Sequence, residues 1–325
     1  MQKLLVICGP TATGKTSLAI KLAKKFNGEI VSADSRQVYR GLDIGTGKDL
    51  PKKAKLKFLL IKRFGYYEIY RIKVWGYDLA DPRHSFSVAQ YLKFAERMIK
   101  DIVKRGKLPI LVGGTGFYIK GVIDGIPTAE VPKSNHLRKS LEIKSPEELF
   151  EMLAQIDSIK AAEMNTSDKK NPRRLIRAIE IATWKTDHNG KESETKKKKS
   201  VFNVMQIGLT ADEKYLGNII EQRVSERFRE KLKNEIAGLL KNHVDWNMQS
   251  MSSMGYGQWQ AFFEGRKSEV QVIKEWEVEE KKYIKRQTTW FKKDKRISWF
   301  DIAKSNYPEN VEKLVEKWHN TTNVT

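Results

Sequence analysis

Cysteine is nearly absent from this chain: Cys8 is the only one in 325 residues, which excludes an intramolecular disulfide framework and a cysteine-based metal site and fits a reducing compartment. No zinc-type spacing and no internal repeat occurs. Long apolar runs are missing too. The first, Leu4 to Cys8, is too short for a signal-peptide core, and nowhere do about 18 apolar residues follow one another. A cytoplasmic protein without a membrane segment is expected. Negative charge is in short supply, with 40 acidic residues against 61 lysines and arginines, a formal net charge of +21. Such an excess suits an extended polyanion such as a nucleic acid, with a merely solubilising surface as the alternative.

What is present begins with Gly9-Pro10-Thr11-Ala12-Thr13-Gly14-Lys15-Thr16 directly after the apolar run. This matches the phosphate-binding pattern G-x-x-x-x-G-K-[ST], in which backbone N–H groups close around phosphate oxygens, the lysine adds a point charge and the hydroxyl ligates Mg²⁺. Residues 15–26 follow with helical periodicity at Leu18, Ala19, Leu22, Ala23 and Phe26, ending at Asn27-Gly28. Glu29 to Ala33 and Leu108 to Val112 read as strands ending in Asp34-Ser35 and Gly113-Gly114-Thr115-Gly116. Ser87 to Arg105 reads as a helix with a Ser87/Gln90 capping box. Strands alternating with helices predict an α/β fold with a parallel sheet, and ligands at the strands' carboxyl ends, where these loops fall.

Three apolar segments at 56–79, namely 58–61, 65–67 and 69–74, read as added antiparallel strands. From about 127 to 200 apolar residues thin out, and Ser145-Pro146-Glu147-Glu148 opens a helix, so a small helical insertion is expected, ending in a basic loop at Lys196 to Lys199. A single apolar stripe runs from Leu216 to Leu240, with Arg223 and Arg227 one turn apart beside it, placed to grip an oxyanion or to form surface pairs with Glu221 or Glu226. Trp276, Tyr283 and Trp290 recur every seven residues among lysines and arginines; they read first as core anchors, with base stacking as the alternative. The predicted division is 1–126, 127–200 and 201–325.

Several strings together resemble the tRNA dimethylallyltransferases: the Gly9 to Thr16 loop, Ser32 to Tyr39, Gly41 to Lys48, Asp81-Pro82, Val112 to Tyr118, Asn171 to Glu180, Gly255-Tyr256 and Lys285 to Phe291. They appear in family order across nearly the whole chain. The resemblance implies a P-loop nucleotide-kinase-like core carrying a helical insertion that binds a tRNA anticodon stem-loop. It implies transfer of a dimethylallyl group from dimethylallyl diphosphate to the exocyclic amine of the adenosine just 3′ of the anticodon. Gly9, Thr11, Ala12, Thr13, Gly14, Lys15, Thr16 and Arg223 would hold the diphosphate, with Mg²⁺ on Thr16. By the motif Asp34 is the proton acceptor and Thr115 orients or polarises the amine; the other reading is a helix cap or an outer Mg²⁺ ligand for Asp34 and a cap after a glycine turn for Thr115. Ser35, Arg36 and Gln37 would touch the target nucleotide, and Arg138, Arg173, Arg174, Leu175, Ile176, Arg177, Lys285, Arg286 and Gln287 the tRNA.

The chain departs from the family pattern in the addition at 56–77, in Lys281-Lys282, in Gly257 and in the lysine-rich 191–199 segment. A kinase acting on a small molecule or nucleoside is the rival, and an RNA-stimulated ATPase a third reading. Gly113-Gly114 stands where either would place a Walker-B carboxylate. With no heptad or self-complementary patch, a monomer is expected.

Overall fold

The computed structural model describes residues 2–48, 50–51, 54–58, 64–188, 202–229 and 231–321. In chain order the elements are β1 (Gln2–Cys8), α1 (Lys15–Lys25), β2 (Gly28–Ser32), β3 (Lys57–Phe58), β4 (Gly65–Ile69), β5 (Ile72–Trp75), α2 (Val88–Lys104), β6 (Leu108–Gly113) and α3 (Gly116–Asp124). Next come α4 (Asn135–Leu141), α5 (Pro146–Ile156), α6 (Ser158–Glu163), α7 (Thr166–Lys169) and α8 (Pro172–Asp187). The chain continues through β7 (Phe202–Thr210), α9 (Glu213–Arg229), α10 (Leu232–Lys241), α11 (Gln260–Phe263), α12 (Glu269–Phe291), β8 (Ile297–Asp301) and α13 (Tyr307–Asn320). It forms two compact units, one of Met1–Ile123 with Ser200–Thr325 and one of Asp124–Lys199.

In the first unit the sheet order is β3-β4-β5-β2-β6-β1-β7-β8, parallel from β5 to β8 and antiparallel from β3 to β5. The connection after β1 runs past β6 to β2 and the one after β6 runs past β1 to β7, so they leave in opposite directions and open a crevice at the carboxyl ends of these two strands. Strand alternation sorts the core by face. Leu5 and Ile7 pack with Leu18 and Leu22 of α1 and Val315 of α13. Leu4, Val6 and Cys8 pack with Phe94 and Met98 of α2 and Ile119 of α3. Burial pushes the Cys8 thiol up to about 12, which leaves it an inert core side chain. A third cluster joins α9, α10 and α12 through Val224, Ile236 and Trp276.

Three expectations change. The stretch 69–74 is not one strand: Tyr70 and Arg71, at φ 48° and 66°, form the two-residue turn between β4 and β5. Such a turn needs two positive φ values and usually carries Asn or Gly, so these residues hide it. The stripe from Leu216 to Leu240 is two helices, broken where Lys231 takes φ 70°. Of the three heptad-spaced aromatics only Trp276 is core; Tyr283 is half-buried and Trp290 exposed. The expected strand residues Leu59, Leu60 and Ile61 and the lysine-rich loop at 191–199 lie outside the described residues.

The second unit is a small helical body whose core comprises Leu141, Leu149, Leu153, Leu175 and Ile179. Ser145 caps α5 through a complete capping box with Glu148, and Asn171 caps α8 ahead of Pro172.

Candidate active site

A cavity of about 470 Å³ opens at the carboxyl ends of the parallel strands, entirely within the first unit. Its floor is the Gly9–Gly14 loop between β1 and α1. Ala12 (φ 64°) and Gly14 (φ 73°) are left-handed, a backbone alternation that turns N–H groups inward. Helix α1 has neither a side-chain cap nor an acidic residue in its first turn, so its N-terminal amides and dipole face the cavity. Thr13 is buried and donates its hydroxyl to Pro10 O at 2.9 Å, tying the loop to itself. Lys15 Nζ donates to the same carbonyl at 2.6 Å. Thr11, Ala12, Gly14, Lys15 and Thr16 line the cavity; Gly9 and Thr13 shape the loop from behind.

The wall after β2 is the Asp34 turn. Asp34 Oδ1 accepts from the backbone N–H groups of Arg36 (2.8 Å) and Gln37 (3.3 Å), while among the described residues no donor reaches Oδ2. One oxygen therefore holds the turn and the other is open. Thr115, just past β6, accepts Ser35 N–H on its hydroxyl at 3.0 Å and donates its own N–H to Ala33 O at 3.2 Å. It is not among the residues lining the cavity, and its bonds tie the turn after β6 to the Asp34 turn. Gln287 is buried on α12; its Oε1 accepts from Thr11 N and its Nε2 donates to Gly114 O, both at 2.9 Å. That side chain joins the loops after β1 and β6, a correction to its expected role against tRNA. Gln37 is likewise engaged, donating to Gly47 O at 2.9 Å.

Opposite stand Arg223 and Arg227, both lining the cavity. Of the surface partners weighed for them, Glu221 pairs with Lys281 and Glu226 accepts from Gln222. Arg227 is buried and donates to Gly45 O at 3.2 Å and to Glu280 at 3.4 Å. Both guanidinium groups pack on Gly47, where a Cβ would fall 2.2 Å from Arg227 Nη2 and 3.0 Å from Arg223 Nη2; with φ 61°, only glycine fits. The 43–47 loop is fixed from below by Glu235, which accepts from Asp43 N (3.1 Å), Ile44 N (3.0 Å) and the Tyr256 hydroxyl (2.5 Å).

Arg227 and Tyr283, both weighed in the sequence, line the cavity together with Glu280, which was not singled out. A signal for Glu280 was there: Val272, Trp276, Glu280, Ile284, Gln287 and Phe291 form the buried line of α12, and its two polar members both face the cavity. Burial pushes the Glu280 carboxyl above its usual range, against the pull of Arg227 and a hydrogen bond from Trp276.

In the insertion the picture differs. Leu175 and Ile176 are buried in its core, so their side chains pack instead of meeting RNA. Arg138 makes a two-pronged pair with buried Glu180 at 2.7 Å, and Arg177 donates to Glu180 and to the carbonyls of Thr128 and Val131. These two guanidinium groups brace the insertion. Arg173 and Arg174 are exposed, Arg174 pairing with Asp168. On α12 Lys285 pairs with Glu213 at 3.0 Å, and Arg286 lies over the Tyr283 ring and lines the cavity.

A family model described as IPP transferase matches residues 37–294, and one described as isopentenyl transferase matches residues 2–61. The tRNA dimethylallyltransferase of Anoxybacillus flavithermus is 39% identical over 304 residues, 93% of this chain and 91% of that protein. That of Carboxydothermus hydrogenoformans is 36% identical over 97% of this chain and 96% of its own length. The solved tRNA isopentenylpyrophosphate transferase of Bacillus halodurans is 31% identical with a TM-score of 0.70, covering 98% of this chain and 96% of that one. A eukaryotic dimethylallyltransferase shares the fold, with a TM-score of 0.77 at 21% identity over all of this chain and 81% of its own. No helix among the described residues is long and apolar enough to cross a membrane. The central sheet, the cavity at its carboxyl edge and these likenesses lead to one conclusion: the chain belongs to the tRNA dimethylallyltransferase family.

Proposed function

We propose that this protein transfers a dimethylallyl group from dimethylallyl diphosphate to the N6 amine of the adenosine 3′ of the anticodon in tRNA, releasing diphosphate. The observation that carries the reading is the pairing of opposite charge in one cavity. An N–H-rich loop at the start of α1, with Lys15, Arg223 and Arg227, stands beside the open oxygen of Asp34. Charge that grows on the bridging oxygen as the carbon–oxygen bond breaks is stabilised by the loop amides, Lys15 and Arg223. The adenine amine is a weak nucleophile that loses a proton as the new carbon–nitrogen bond forms, and Asp34 Oδ2 accepts it. Thr115 holds the Asp34 turn in register for that transfer.

The strand order β2-β6-β1-β7-β8 supports a nucleotide-kinase-like core, and a diphosphate in place of a nucleotide suits β6 ending in Gly113-Gly114 without a carboxylate. The donor set also fits Mg²⁺. The described residues hold no group of three or more His, Cys, Asp or Glu side chains that could bind a metal, whereas Mg²⁺ prefers one or two protein oxygens completed by phosphate and water. Thr16 would hold the ion, which supplies charge neutralisation on the diphosphate. The target base leaves its stack to reach the cavity. Exposed Arg173 and Arg174 of the insertion, with Lys285 and Arg286, meet tRNA phosphates.

The test is to incubate the protein with Mg²⁺, dimethylallyl diphosphate and unmodified tRNA bearing adenosine beside the anticodon, then digest and weigh the nucleosides. An adenosine heavier by one dimethylallyl group is expected. Unchanged nucleosides with ATP consumed in a parallel reaction would overturn the reading in favour of a kinase or ATPase.

A further inference from the structure

Phe117 and Trp290 are 45% and 43% exposed, unusual for rings of this size, and stand edge to face with centroids 6.4 Å apart. Neither lines the cavity, yet both sit at its border: Phe117 opens α3 just after the Gly113-Gly114-Thr115 turn, and Trp290 lies one turn past Arg286 and Gln287 on α12. The indole is held in place. A Cβ on Gly116 would fall 2.1 Å from both Cδ1 and Nε1 of Trp290, so the ring lies directly on the backbone at the start of α3. An indole set against main chain and left open on its other side has lost its freedom without gaining full burial.

The charge around the pair completes the argument. Earlier on α12, Lys281, Lys282 and Lys285 are each paired with Glu221, Glu279 and Glu213. Lys120, one turn after Phe117, and Arg286 and Lys293, one turn to either side of Trp290, are exposed and form no ion pair among the described residues. Open aromatic faces one helical turn from exposed cations outside any ion pair suit a ligand that offers flat rings and phosphates together, as a single-stranded nucleic acid does.

We propose that Phe117 and Trp290 form a stacking platform for an unpaired base of the RNA substrate, next to the base that enters the cavity. The inference rests on the function proposed above and assigns those residues to substrate positioning. Stacking of one base is worth about 5- to 150-fold in affinity. Phe117→Ala is the primary test because that side chain is exposed; Trp290→Phe and Trp290→Ala follow. Binding of tRNA is titrated directly at several salt concentrations, and KM is measured for each substrate. Phe117→Ala is expected to weaken tRNA binding and raise its KM within that range, with KM for dimethylallyl diphosphate and the slope of log K against log salt unchanged. Phe117→Tyr should restore binding and Phe117→Leu should not, since the π-face is what matters. Lys293→Ala should instead flatten the slope. Parental tRNA affinity in folded Phe117→Ala, or full rescue by leucine, would overturn the platform. Failure of the unmutated protein to prenylate tRNA would overturn the transfer reading instead, and the titration judges the platform even then.

Discussion

Glu180 in the insertion and Glu280 in the core are both buried against arginine, and these two glutamates behave in opposite ways. In the insertion, Glu180 receives Arg138 from two sides at 2.7 Å, Arg177 at 3.1 Å and the Ser134 N–H at 3.0 Å. Burial disfavours its charge, but these bonds together outweigh burial and hold the carboxyl below its usual range. In the core, Glu280 meets Arg227 at 3.4 Å and the Trp276 indole at 3.2 Å, and burial prevails, raising it. A saturated carboxylate makes its arginines into braces, while a thinly bonded one leaves Arg227 facing the cavity. Basic residues that look alike in a sequence thus divide by their partners.

The comparison can be broken by substitution. The largest effect is expected at Asp34: Asp34→Ala should lower prenyl transfer by about 10²- to 10⁴-fold while tRNA still binds, and near-normal turnover would refute its part as proton acceptor. Lys15→Ala should cost about 10²- to 10³-fold in transfer, read as kcat and as KM for dimethylallyl diphosphate. In the insertion the loss should be of stability instead. Glu180→Ala leaves two guanidinium groups without their shared partner and should destabilise by about 2–3 kcal/mol, at the lower edge for broken buried pairs because Arg138 and Arg177 are each 28% exposed. Denaturant titration measures it. Lost transfer chemistry in a Glu180→Ala protein of parental stability would erase the distinction between the units.

The smallest effect is the sharpest in sign. The lowered Glu180 carboxyl contributes stability that is present above its ordinary range and is lost as pH falls through its depressed value. The raised Glu280 carboxyl contributes stability present at low pH and lost as pH rises through its elevated value. Going from acid to neutral pH, the penalty of Glu180→Gln should therefore grow and that of Glu280→Gln shrink. Melting curves across that range report both, and parallel trends would show that the two sites share one electrostatic logic after all.

Much of the site was legible because it is local. The Gly9–Thr16 loop, the Asp34 turn and the Gly113–Thr115 turn each follow a strand, and a parallel sheet gathers such loops at one edge whatever the remainder does. The Ser87 and Ser145 capping boxes were readable for the same reason, since cap and partner lie three residues apart. Two breaks in the chain's regular structure are invisible to such local rules. The turn at Tyr70-Arg71 lacks the usual small residues, and the break at Lys231 interrupts an otherwise continuous apolar stripe.

By itself, then, the amino-acid sequence determined the α/β alternation, the glycine-rich loop after β1, the family and the excess of positive charge, all of which follow from neighbours along the chain or from composition. Only the tertiary structure decided which charges face the cavity and which brace. Arg138 is matched with Glu180 across 42 residues, Arg227 with Glu280 across 53 and Thr11 with Gln287 across 276. Whether a guanidinium group meets a carboxylate, a carbonyl or an open cavity is settled by which helices pack together, and packing joins residues that no spacing rule connects.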